Sequence, residues 1–145
     1  MTGNARDAVA SVKIAAGREA IWTALTTPEQ IEKYFLGTHV TSTWEVGTPV
    51  TFAGEWQGKH YQDHGIVLAA EPPELLRVSH YSPLSGKPDV PENYHTVEYR
   101  IENDNDNTSL VTITQGNNTS EGEAAESEKT WLLVLTNLKE LLEAS

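Results

Sequence analysis

The chain has 145 residues, 38% of them hydrophobic, and its 21 acidic and 10 basic side chains give a formal charge of −11. A field of that sign repels phosphate backbones and anionic membrane surfaces, so neither nucleic acid nor membrane is expected as a partner. The absence of cysteine excludes a disulfide framework, a thiolate nucleophile and a cysteine-bound zinc.

The apolar fraction is that of a globular protein, and the length suits one domain over residues 1–145, with residues 1–7 a flexible terminus. The opening MTGNARDAVA has neither the basic nor the apolar region of a signal peptide. The longest apolar runs fall short of the ~20 residues a membrane span needs. A cytoplasmic location is therefore expected.

Residues 8–14 alternate, with Ala10, Val12 and Ile14 on one side and Ser11 and Lys13 on the other, which predicts a half-buried strand. GREAIWTALTTPEQIEKYF then reads as two short helices. Ile21, Trp22 and Leu25 stripe the first. Thr27, Pro28 and Gln30 predict a capping box for the second, Ile31, Tyr34 and Phe35 form its buried side, and Gly37 ends it. From there the period becomes two, predicting strands at 38–44, 49–54, 60–70, 75–81, 94–102 and 109–115. The proline-rich joint from Ser82 to Asn93 is long for a hairpin, a length that suits either a functional loop or a mobile surface loop. Residues 120–144 form a long helix, acidic at its start, with Trp131, Val134, Leu135, Leu138, Leu141 and Leu142 on one stripe that must lie against the sheet. The order is α+β: a mostly antiparallel sheet packed on a terminal helix.

The segments REAIWTALTTPEQIEKYF, GIVLAAEPPELL, NTSLVTITQGN and WLLVLTNLKELLE cover most of the chain and resemble the helix-grip fold of the START-like (SRPBCC) superfamily, within it the AHSA1-like relatives of the Hsp90 ATPase activator. The resemblance implies a curved sheet wrapped around the C-terminal helix and a cavity between them for an apolar, aromatic or lipid-like molecule. It brings no catalytic signature. Direct stimulation of a chaperone ATPase is not expected, because the activator's separate N-terminal domain has no room in this chain.

Alternation then assigns faces. Val97, Tyr99 and Ile101 should point inward, as should Val40 and Trp44, Val50 and Phe52, and Leu76, Val78 and His80. In HYQDHGIVLAA, Ile66, Leu68 and Ala70 share a side with His60 and His64, which puts His64 inward and near His80 unless a bulge swaps the parity. HYQDH is not expected to bind metal: an i, i+4 pair on a strand spans about 13 Å, too far for two ligands at ~2 Å from one ion. Trp56 is expected at the pocket mouth or on the surface, and Trp22 in the core. Ligand binding at the cavity wall is assigned to Phe35, Trp44, Phe52, His64, His80, Tyr99, Trp131 and Leu135, with no cofactor, metal or catalytic residue.

Three functions fit these residues. The preferred one is a small-molecule carrier, sensor or sequestering protein, monomer or homodimer, which needs only the cavity. A cyclase/aromatase-like enzyme would use His64 or His80 as acid or base and Tyr99 as a donor. A chaperone-associated interaction module would use the acidic surface.

Overall fold

The alternating segments form seven strands: β1 (Ala8–Ile14), β2 (His39–Ser42), β3 (Pro49–Trp56), β4 (Lys59–Glu71), β5 (Leu75–His80), β6 (His95–Asn105) and β7 (Thr108–Gly116). The structure, a computed structural model, describes residues 7–144 except Gln57 and Asp106, and leaves out the side chains of Trp56 and Leu84. The expectation of a flexible terminus falls almost wholly, and that for the Trp56 side chain entirely, outside the described residues. The sheet order is β1-β7-β6-β5-β4-β3-β2 with every neighbouring pair antiparallel. The chain passes from one edge strand, β1, to the other, β2, through α1 (Arg18–Thr26) and α2 (Pro28–Tyr34), and ends in α3 (Glu121–Glu143).

α3 lies against the sheet because its stripe leaves it no alternative. Trp131, Val134, Leu135 and Leu138 are buried in one core with Ile14, Ile21, Ile101 and Ile113. The helix also covers the free side of β1: the Val9 N–H donates to Glu128 Oε2 at 3.2 Å and the Ala15 N–H to Glu143 Oε2 at 2.9 Å. Val9 belongs to the edge strand and Ala15 directly follows it, so the helix supplies acceptors to donors along that open edge.

The helix caps depart from the expected pattern. Thr27 caps α2 through its carbonyl, which accepts from the Gln30 and Ile31 N–H groups at 3.0 Å, and its side chain makes no capping bond. Side-chain capping occurs at α3 instead, where Ser120 Oγ accepts from the Glu123 N–H at 3.0 Å and the Glu123 carboxylate turns back to Thr119. Gly37, at φ +79°, closes α2 by donating to the Glu32 carbonyl at 3.1 Å.

Two strand expectations need correction. β2 stops at Ser42, and Trp44 lies beyond it at φ +64°, so it does not continue the strand alternation. In β4 the inward face is the opposite of the one expected: Val67 is fully buried, whereas Ile66 and Leu68 are 43% and 38% exposed. The register shifts between Val67 and Ala69, so Ala70 packs inward on the far side of the bulge while the inward set before it is Tyr61, Asp63, Gly65 and Val67. Counting back from the apolar run IVLAA therefore gives the wrong side.

Candidate ligand-binding cavity

The concave face of the sheet, the end of α2 and the N-terminal half of α3 enclose a cavity of about 450 Å³. Its floor is apolar and aromatic: Phe52 from β3, Val78 from β5, Val97 and Tyr99 from β6, and Trp131 from α3, all buried. Phe35, at the end of α2, meets Trp131 edge-on at 5.5 Å between ring centroids, and Tyr99 meets it edge-on at 6.1 Å. Such T-shaped pairs hold each ring in one orientation. The Trp131 indole N–H donates to Gln115 Oε1 at 2.9 Å, and Gln115 Nε2 donates to Asn118 Oδ1 at 2.8 Å and Ser127 Oγ at 3.0 Å. The buried polar groups at this end of the wall are thus satisfied within the protein.

Polar groups interrupt the floor at a few points. Tyr61 lies across β3 and its hydroxyl is 2.8 Å from Thr38 Oγ1. That path requires Gly54, since a Cβ there would come within 2.6 Å of the Tyr61 oxygen. Asp63 Oδ2 is 2.9 Å from His80 Nε2, while Asp63 Oδ1 is buried without a hydrogen-bond partner among the described residues. The His80 ring packs edge-on against Phe52 at 5.3 Å and lies 6.5 Å from the His95 ring. His95 Nε2 in turn stands 3.4 Å from Glu123 Oε2, an electrostatic contact rather than a short hydrogen bond. A chain of acid, histidine, histidine and acid therefore links three lining residues, Asp63, His80 and Glu123, through His95, which is not itself part of the lining.

The electrostatics of that chain have separable causes. Burial lowers the pKa of His95, and the neighbouring His80 and Lys87 push the same way, against the attraction of Glu123. Burial acts to raise the Glu123 carboxyl, but hydrogen bonds from Thr119 and the charges of His95 and Lys87 outweigh it and hold the group below its ordinary value. Burial also pushes the Tyr99 hydroxyl well above 10, which keeps it protonated as a donor. It has no hydrogen-bond partner among the described residues.

Five of the eight residues assigned to the wall from sequence line this cavity: Phe35, Phe52, His80, Tyr99 and Trp131. Three do not. Leu135 is fully buried in the core behind it. Trp44 borders a separate void of about 20 Å³ with Val40, Phe52 and Leu76. His64 lies on the outer face of the sheet, where its backbone bridges to Tyr81 and its ring stacks on Tyr94 at 5.9 Å. There Asp89 accepts from the Tyr94 hydroxyl at 2.6 Å and sits 3.1 Å from His64 Nε2, so the segment 82–93 is folded against the sheet. That hydrogen bond, with some burial, pushes the Tyr94 pKa up to about 12. His64 and His80 are thus on opposite sides, not a pair.

Tyr61, Asp63, Gln115 and Glu123 line the cavity but were not assigned to it. The parity error in β4 hid the first two. For Gln115 a signal existed, because it continues the inward alternation of Val111 and Ile113. Among the described residues no group of three or more His, Asp or Glu side chains is placed to hold a metal. His60 is exposed on β4, four extended residues from His64. No described helix is long and apolar enough to cross a membrane.

A curved antiparallel sheet closed over a C-terminal helix, with a cavity between them, is the helix-grip architecture of START-like proteins. The family model described as "Activator of Hsp90 ATPase homolog 1-like protein" matches residues 15–143, and the chain belongs to that family. The solution structure of ChR145 from Cytophaga hutchinsonii is 43% identical, superimposes with a TM-score of 0.78, and the match covers 94% of each chain. CalU16 from Micromonospora echinospora is 24% identical over 92% of this chain and 74% of its own, with a TM-score of 0.73. The Aha1 dimer from Colwellia psychrerythraea is 21% identical over 95% and 96%, with a TM-score of 0.72. The last two likenesses concern the fold alone. No curated protein matches the sequence.

Proposed function

We propose that the protein binds a small apolar or aromatic molecule in the cavity between sheet and α3. The observation that carries this reading is a space of about 450 Å³ with a buried floor of Phe52, Val78, Val97, Tyr99 and Trp131. A mostly apolar cavity of that size, with a few polar groups to orient its occupant, has the usual character of a small-molecule site. The free Tyr99 hydroxyl and the Asp63–His80 pair would supply the orientation.

The neutral fluorophore N-phenyl-1-naphthylamine tests the proposal directly. Its emission should rise on titration with the protein, and saturating probe, at about 100 times its dissociation constant, should add about 2.7 kcal/mol of stability. Val97→Trp, which fills the floor, should abolish the rise while the circular dichroism of the folded state is retained. Equal emission with the filled variant, or none with the parent, would refute the reading.

The Asp63–His80 contact favours one further reading, acid/base catalysis on the bound molecule, since a carboxylate that holds one ring nitrogen leaves the other available to a substrate. Molecules that co-purify with the protein decide between the two. Conversion by the parent but not by His80→Gln would support an enzyme, and recovery of the same molecules unchanged would support a carrier.

A further inference from the structure

The polar lining of the cavity is one-sided. Glu55 at the end of β3, Asp63 on β4, and Glu123 and Glu126 on the first turns of α3 all line it, and among the described residues no lysine or arginine does. The exposed Glu55 and Glu126 belong to the rim, Glu123 is half-buried, and Asp63 lies deeper, beside His80. Elsewhere four carboxylates are paired with the scarce cations: Glu74 with Arg18, Glu98 with Arg77 and Arg100, Glu143 with Lys139, and Asp104 with Lys13. Among the described residues neither Glu55 nor Glu126 pairs with a cation, and Asp63 has only a histidine. Asp63 Oδ1 is also buried with no hydrogen-bond partner among the described residues, an acceptor that the protein leaves unsatisfied. Lys87 is near enough to act on Glu123 and His95, but it is not part of the lining.

From this arrangement we infer that the preferred ligand is an amphiphilic cation: an apolar or aromatic body carrying a protonated amine, with the body on the Phe52–Tyr99–Trp131 floor and the amine towards the carboxylates. The inference rests on the small-molecule reading above and names the chemical class it would take. A concave site with low-dielectric walls and charge of one sign focuses its field on the opening, so it attracts cations and repels carboxylates and phosphate esters of similar shape.

Three probes with one ring system and different heads separate the possibilities: 2-naphthylmethylamine, 2-naphthalenemethanol and 2-naphthoate. Each is titrated at neutral pH into nitrogen-15-labelled protein, and the Trp131 indole N–H reports occupancy. Affinity should fall in the order amine, alcohol, carboxylate, with a spread on the order of tenfold at about 20 mM salt that narrows at about 300 mM. Glu55→Gln combined with Glu126→Gln, both at exposed positions, should shrink the spread between amine and carboxylate. If the three probes bind equally, or 2-naphthoate binds best, the charge inference is wrong while the cavity reading stands. If none moves Trp131 or the other wall resonances at millimolar concentration, both fail together.

Discussion

His95 stands within reach of three charged or chargeable groups: Glu123 on α3, His80 on β5 and Lys87 in the loop between β5 and β6. Burial is the largest influence and lowers its pKa, so the unfolded chain, in which histidine titrates near ~6.5, binds the proton more readily than the folded one. The stability tied to His95 is therefore complete above about pH 6.5 and is lost as the pH falls from there towards the lower folded value. A melting temperature that drops between about pH 7.5 and pH 5.5, with a shallower drop for His95→Gln, is the expected outcome. An unchanged slope would remove His95 from the account. Gly65 is a second residue whose role is steric. A Cβ at this position would lie 1.8 Å from the Ser79 carbonyl oxygen, an overlap with backbone that no side-chain rotation relieves. Gly65→Ala should cost about 2–3 kcal/mol, read from the urea midpoint, because β4 and β5 must separate to admit the methyl group.

At the scale of elements, α3 has two different jobs along its length. Its N-terminal half, through Glu123, Glu126, Ser127, Thr130 and Trp131, walls the cavity, while Val134, Leu135 and Leu138 fill the core behind it. This division predicts different outcomes for two truncations. Leu135→Ala should lose about 2–5 kcal/mol of stability and leave probe affinity per folded molecule unchanged, because Leu135 touches the core and not the cavity. Trp131→Phe should weaken probe binding as well as stability, since it removes part of the wall and leaves Gln115 Oε1 without its indole donor. Chemical denaturation together with fluorescence titration separates the two effects. β4 shows a related division across its bulge, where the inward face passes from the Val67 side to the Ala70 side and so decides which polar residues the cavity receives.

For the whole molecule, the formal charge of −11 is the dominant electrostatic fact. Net charge of one sign works against a compact state through self-repulsion, and added salt screens it over about 10 Å at 0.1 M. The melting temperature should therefore rise when sodium chloride is increased from about 20 mM to about 200 mM. A fall would mean that the surface ion pairs, such as Arg77–Glu98 and Lys139–Glu143, outweigh the repulsion.

The sequence by itself determined the element order, the antiparallel sheet and the burial of α3, because hydrophobic periods of two and 3.6 leave few ways to cover the apolar faces. It also made Phe35, Phe52, His80, Tyr99 and Trp131 legible as inward-facing positions, since the strand positions among them lie in regular alternation and Phe35 and Trp131 each fall on the apolar side of their own predicted helix. Tertiary structure decided the rest. The bulge between Val67 and Ala69 moved His64 out and brought Tyr61 and Asp63 in, and a local sequence pattern does not reveal a register shift that is set by pairing with β5. The meeting of Asp63, His80, His95 and Glu123 from three strands and a helix is a consequence of how β4, β5, β6 and α3 pack. Residues that stand far apart along the chain become one electrostatic unit only when the sheet curves and the helix closes it.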